Sequence, residues 1–269
     1  MINPLSLALD RNAGQHGPVI LMYHAITLGR TTPTWPWAVS MQQFCRQLDL
    51  LAVKGYATPT VRELVAAPAD KWSGRTAVIT FDDGYVDNLI ACEEIQKRGM
   101  RATWFIVSGS VGRAAQWPED GRPAGRLLSA SELRDMQKRG MEVGSHTVNH
   151  VRLTETDDVR LMQELTDSKA TLEDMLGNTV NSFAYPYGAW DGRCADAVKQ
   201  AGYTAACTTR TGWALRDHDP FRMRRLTVFN IDPLSVFARN LIFGDNKTTF
   251  SKLLRYKLSR VTSRFSHQS

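Results

Sequence analysis

Two carboxylates stand side by side at Asp82-Asp83, and two histidines stand four apart at His146 and His150. One carboxylate and two imidazoles make a ligand set that leaves a zinc ion an open position for water. A second carboxylate beside that set is what a hydrolytic site needs as a general base. The i to i+4 spacing presents both imidazoles to one ion from a helix or a tight loop. No Glu follows His146, so the internal base of the zinc-protease helix is missing. The Asp pair can supply the base instead. Taken alone, the Asp pair also reads as an exposed acidic turn capping a helix near Tyr85, and the histidines as two surface side chains. Placed on strand ends of one sheet, the four read together as a site.

Other residues add to this set. Phe183-Ala184-Tyr185-Pro186-Tyr187-Gly188 reads as a strand ending in a rigid loop, whose Tyr187 amide can donate to an oxyanion. A plain turn flanked by packed aromatics is the other reading. His24 closes the apolar run Val19-Ile20-Leu21-Met22-Tyr23. There it is either a satisfied core residue or, at a barrel mouth, a general acid for an amine leaving group. Trp35, Trp37, Trp190 and Trp213 are surfaces on which a sugar ring can stack, or core residues. Trp35-Pro36-Trp37 lies in a Pro-rich loop after the first strand, where binding residues gather.

The elements that must position these side chains follow from a loose repeat. Amphipathic segments end in a turn and Gly, at Gly55, Gly99, Gly140 and Gly202, and an apolar run follows at once. Cations suit a helix C-terminus and Gly the left-handed position after it. The strands expected are 19–23, 76–81, 103–107, 142–145, 182–185, 204–207 and 226–229. The helices expected are 42–53, 86–97, 130–138, 157–176 and 195–199, with Ser129 and Glu132 forming a capping box. Strands alternating with helices imply a parallel sheet, and seven or eight such units imply a barrel. Chemistry in that architecture sits at the C-terminal strand ends, where every motif above falls.

The 269 residues suffice for one large α/β domain, and 43% apolar with 22% charged residues excludes a disordered chain. Cys45, Cys92, Cys194 and Cys207 are scattered, which reads as free thiols of a reduced compartment. The start, Met1-Ile2-Asn3-Pro4, lacks the basic and apolar regions of a secretory signal, so a cytoplasmic protein is expected. From Arg216 onward there are 11 Lys/Arg against 4 Asp/Glu, so the net charge of +6 belongs to the C-terminal part. That placement argues against a nucleic-acid partner. Phe250, Leu254, Leu258, Val261 and Phe265 recur at helical spacing in a tail with six Lys/Arg and no acid after Asp245. The tail is either a helix packed on its own domain or one lying on the inner face of an anionic membrane. The expected organisation is an extension over 1–17, a barrel over 18–245 and the tail over 246–269.

Thr80-Phe81-Asp82-Asp83-Gly84 with His146-x-x-x-His150 downstream resembles the polysaccharide deacetylases, the carbohydrate-esterase family that shares the NodB-type domain. The resemblance covers roughly Pro18 to Asp232. It implies a distorted (β/α)7 barrel in which Asp82 is the general base and Asp83, His146 and His150 bind the metal. It also implies that the Tyr187 amide serves the oxyanion. Two departures stand out. Ala184 occupies the position where the family's third motif usually carries an Arg that steadies the base, and Arg225 is the hypothesised replacement. No His follows the 226–229 run, whereas Met22-Tyr23-His24 resembles the permuted arrangement of exopolysaccharide deacetylases. Asp219 is the candidate partner of His24.

The reaction so implied is hydrolysis of an acetamide on an amino sugar. The sugar would be that of a surface polysaccharide, its precursor or a glycolipid. Zinc is the expected ion, and Co, Ni or Fe(II) also suit two His and one carboxylate. An Fe(II) oxygenase shares that ligand type, but the βα alternation argues against it. A barrel that binds carbohydrate without catalysis is the reading from another class, and a hydrolase of a different linear amide is the other alternative. Trp35, Trp190, Trp213 and Tyr187 are the substrate-binding candidates.

Overall fold

The structure, a computed structural model, describes residues 17–29, 33–68, 71–72, 74–119 and 121–246. Its strands are β1 (Val19–Tyr23), β2 (Ala25–Thr27), β3 (Ala38–Ser40), β4 (Ala77–Phe81), β5 (Ala102–Ile106), β6 (Glu142–Ser145), β7 (Ser182–Ala184), β8 (Ala205–Cys207) and β9 (Leu226–Thr227). Seven of them form one sheet in the order β8-β7-β6-β5-β4-β1-β9, every adjacent pair parallel. The chain at 223–227 joins the two edges. Met223 pairs with Cys207 at the end of β8, while Leu226 and Thr227 pair with Leu21 and Met22 of β1. The result is a parallel barrel, as the alternation implies, of the distorted (β/α)7 kind that the resemblance implies.

Strand alternation sorts the side chains into two cores. Val19, Leu21 and Tyr23 of β1 and Ala77, Ile79 and Phe81 of β4 face the outer helices. Ile20 and Val78 face inward, with Phe105, Ala184, Ala205 and Cys207. Continuing the inward row by two residues at a time brings Met22 and His24 from β1, and Thr80 and Asp82 from β4, to the barrel mouth. Apolar strands covered on both faces are what a helix-wrapped parallel sheet needs.

The outer layer is α1 (Met41–Val53), α3 (Asn88–Lys97), α4 (Ala130–Lys138), α5 (Asp158–Leu176) and α6 (Gly192–Gln200). Two helices add to those expected from sequence: α2 (Val61–Ala66) and α7 (Leu234–Phe243). Val61 and Leu64 of α2 pack into the inner core, and a Thr60–Glu63 capping box starts the helix. Six residues are too few for a periodic pattern to show. The Ser129–Glu132 capping box forms as expected, and Gly55, Gly99, Gly140 and Gly202 all take positive φ. β2 and β3 pair in a small separate sheet that three-residue runs did not reveal. β9 is shorter than expected: Val228 N–H still donates to Met22 O at 3.1 Å, the outer edge of Thr227 is taken by the Asn246 side chain, and Asn230 N–H turns to the Pro36 carbonyl. All four cysteines are free thiols. The basic amphipathic tail lies outside the described residues, save Asn246.

Candidate active site

Both halves of the Asp pair reach one cavity because the chain reverses where β4 ends. Asp83 adopts φ 72° and Gly84 φ 87°, so the turn starts one residue before the glycine that suggested it. Asp tolerates this conformation better than most residues. Gly84 N–H donates to the Asp82 carbonyl at 2.9 Å and closes the turn. A Cβ at Gly84 would meet only the tip of Ile106, at Cδ1, so the positive φ is what asks for glycine there.

His146 and His150 lie on a loop after β6, not on a helix, with Thr147 at φ 66° and His150 at φ 56°. Their Nε2 atoms stand 3.6 Å and 3.3 Å from Asp83 Oδ1. Among the described residues, Asp83, His146 and His150 are the one group of three His, Cys, Asp or Glu whose ligand atoms all lie within 4.8 Å of one another. All three are buried, and Asp83 Oδ1 has no hydrogen-bond partner among the described residues. A buried carboxylate oxygen aimed at two imidazole nitrogens is costly unless a cation completes the set. The donor types and spacing fit a divalent ion. His146 Nδ1–H donates to the Ala184 carbonyl at 2.7 Å, which fixes the tautomer and turns Nε2 toward the site.

Electrostatics suit the same use. Burial pushes His146 down to about 4, so its imidazole is neutral and can ligate at neutral pH. Burial raises the Asp83 carboxyl, but His150, His24 and His146 outweigh that and hold it below the usual carboxylate range. Asp82 is likewise raised by burial, then lowered further by Arg225, with help from His146 and His24. Arg225 is fully buried inside the barrel. Its Nη1 and Nη2 donate to Asp82 Oδ1 and Oδ2 at 2.6 and 2.7 Å, and its Nε to the Thr208 carbonyl at 3.0 Å. The guanidinium that holds Asp82 thus enters from the closing segment before β9, while β7 contributes the small, buried Ala184 to the inner core.

His24, Asp82, Asp83, His146, His150 and Tyr187 line one open cavity of about 460 Å³ at the mouth. The ring of Tyr187 (φ 58°) meets His150 at 4.5 Å, and Arg152 lies over it at 4.2 Å. His24 packs edge-on against Trp35 at 5.8 Å, and its carbonyl accepts from Asn88 Nδ2 at 2.8 Å.

Several assignments need correction. Asp219 does not serve His24; it caps the turn at Phe221 and pairs with Arg222 at 2.6 Å. Trp190 and Trp213 do not line the cavity. Trp190 sits between Arg210 and Arg222, at 5.8 and 5.7 Å, beside Tyr185. Trp213 packs so closely on Gly244 that a Cβ there would lie 2.5 Å from its ring. Trp35 is only 4% exposed and backs His24 rather than facing the opening, whereas Trp37 lines the cavity. Glu119, Arg152, Thr209 and Thr227 line it too, although no motif marks them. Burial and the nearby Asp83 push Glu119 up. Trp117 stacks on His150 at 4.4 Å, and only its position in the loop after β5 hints at that.

Comparison with known proteins agrees with this geometry. The polysaccharide deacetylase family pattern matches residues 69–206. The chain is 30% identical over 212 residues to YxkH of Bacillus subtilis, assigned to the polysaccharide deacetylases, across 78% of this chain and 70% of that protein. It is 28% identical over 128 residues to a chitooligosaccharide deacetylase of Azorhizobium caulinodans, across 46% of this chain and 53% of that one. Among solved structures, BC0361, a polysaccharide deacetylase from Bacillus cereus, superposes with a TM-score of 0.71 at 26% identity, over 84% of this chain and 69% of that one. With the barrel and the matched sequence in agreement, the chain belongs to the polysaccharide deacetylase family.

Proposed function

We propose that this protein is a metal-dependent hydrolase that removes the N-acetyl group from an amino sugar of a surface polysaccharide, its precursor or a glycolipid. The observation that carries the reading is the Arg225-held Asp82 in one cavity with the Asp83–His146–His150 set and His24. Family membership and a relative named for chitooligosaccharide deacetylation support the substrate class.

Asp83, His146 and His150 would hold the ion, zinc first and Co, Ni or Fe(II) as alternatives. When bound, a divalent cation acidifies water and polarises an acyl oxygen. Asp82 accepts the proton of the attacking water. Arg225 occupies one lone pair on each Asp82 oxygen and leaves the others free for it. The same pairing keeps Asp82 ionised and makes it a weak base. The Tyr187 amide donates to the oxyanion as the carbonyl carbon becomes tetrahedral. His24 gives a proton to the departing amine as the C–N bond breaks, and acetate and a free amino sugar leave.

The test is acetate release from polymeric, lipid-linked and nucleotide-linked N-acetylated sugars, with and without a chelator. Release that a chelator abolishes and added metal restores is expected. A metal-loaded, folded protein that frees no acetate from any of the three classes overturns the reading in favour of a binding barrel.

A further inference from the structure

Glu164 is a carboxylate with no place in the reaction above. It lies one helix away from the cavity, on α5, and is only 4% exposed. A buried carboxylate persists only where donors compensate it. Among the described residues, all its hydrogen-bond donors come from the loop between the two candidate metal ligands. Oε2 accepts from the backbone N–H groups of Val148 and Asn149, both at 3.0 Å, and Oε1 from Asn149 Nδ2 at 2.8 Å. Arg160 Nε approaches no nearer than 4.0 Å.

The loop needs holding. Thr147 and His150 both take positive φ, a region that is unusual for any residue with a side chain and most so for the β-branched Thr147. Such backbone persists only when its surroundings over-determine it. One side of the loop is fixed through its carbonyls. Ser108 N–H donates to Thr147 O at 3.1 Å and Gly109 N–H to Val148 O at 3.0 Å. A Cβ at Gly109 would lie 2.6 Å from that oxygen, so only glycine permits the approach. Glu164 fixes the other side through the amides. Its own helix is tied to β6 by the 2.8 Å Ser145–Ser168 hydroxyl bond. Between the two clamps, Thr147 Oγ1 accepts from His150 N–H at 2.9 Å and sets the turn that carries the imidazole.

We propose that Glu164 is a positioning residue for the metal centre. By gripping the 148–149 amides it holds His150 in reach of the ion that His146 and Asp83 share. This rests on the metal-dependent reading above. Groups that orient metal ligands typically contribute 10- to 100-fold to metal affinity.

Metal-stripped full-length protein is titrated with Co²⁺, following its visible absorption, and Zn²⁺ affinity is read by competition against the bound Co²⁺. Glu164→Ala should weaken Co²⁺ binding by about 10- to 100-fold. Glu164→Gln should fall between it and the wild type, because its carbonyl can still accept both backbone amides. Glu164→Asp, too short to reach the loop, stands in if the alanine variant does not fold. Wild-type affinity and an unchanged spectrum in either folded variant overturn the proposal. Amide hydrogen exchange on the metal-stripped wild type gives a check independent of any variant. Val148 and Asn149 should be protected, and exchange at the rate of free amides equally overturns the clamp. If the wild type binds no Co²⁺ at all, the metal reading fails, while the exchange result still reports on the clamp.

Discussion

Arg225 meets Asp82 fork to fork, at 2.6 and 2.7 Å, across 143 positions of sequence. Both side chains are shut away, at 0% and 4% exposure. Breaking such a buried pair by removing one partner destabilises by about 3–5 kcal/mol, because the other charge is left uncompensated. Arg225→Met is expected to lose that much at pH 7 in urea unfolding of the metal-stripped protein. A carboxyl lowered in the fold contributes stability above its unfolded pKa, about 3.9, and loses it as pH falls through the folded value. Without Arg225, burial meets less opposition and the folded value of Asp82 rises. The deficit of the variant should therefore narrow as pH drops from 7 toward 4. A deficit that stays constant over that range contradicts the pairing as the source.

The same carboxylate carries a kinetic prediction. Asp82→Asn keeps the shape and the buried position but removes the group that accepts a proton. General-base loss is expected to lower kcat by on the order of 10² to 10⁴. Metal content should not change, because Asp83 and not Asp82 stands with the two histidines. Acetate release measured beside metal stoichiometry checks both halves. Near-normal turnover would remove Asp82 as the base, while loss of the metal from a folded variant would place Asp82 among the ligands.

What could be read in the sequence was whatever depended on local pattern. The strand that leads into Asp82 and the capping box at Ser129 need only neighbours within one strand or one turn, and both were legible. The histidine spacing also pointed to one ion, although it fits a loop as well as a helix. The partner of Asp82 was legible only as a gap at Ala184 and a guess at Arg225, since nothing local says which Arg will fill a barrel. Tryptophans misled for a related reason. A large aromatic is equally at home on a sugar face, between two guanidinium groups or against a helix cap. Chain position does not say which, as Trp190 and Trp213 demonstrate.

His146 gives a prediction about acid stability. Burial holds it at about 4, against 6.5 for the ordinary imidazole. In the metal-stripped protein the unfolded chain takes up this proton first. The stabilisation is therefore complete above pH 6.5 and is lost as pH falls from 6.5 toward 4. The full effect is about 3 kcal/mol at 1.36 kcal/mol per pKa unit. His146→Gln should flatten that part of the stability profile. Urea midpoints at half-unit pH intervals, for both proteins with a chelator present, check it. Parallel curves for the two proteins between pH 6.5 and 4 would remove His146 as the cause.

Trp37 and Trp190 separate substrate contact from packing. Trp37 lines the cavity, while Trp190 is occupied by Arg210 and Arg222 outside it. Stacking of an aromatic partner contributes about 0.5–1.5 kcal/mol beyond burial. Trp37→Ala should therefore raise KM for the N-acetylated substrate by about two- to tenfold, with kcat less affected. Trp190→Ala should leave KM where it was. Its effect should instead be on stability, since it removes a half-buried ring that packs on Tyr185. Steady-state kinetics of the two variants beside their thermal midpoints decide the matter. A raised KM in Trp190→Ala with an unchanged Trp37→Ala would move the substrate path from the β1 side of the mouth to the β7–β8 side.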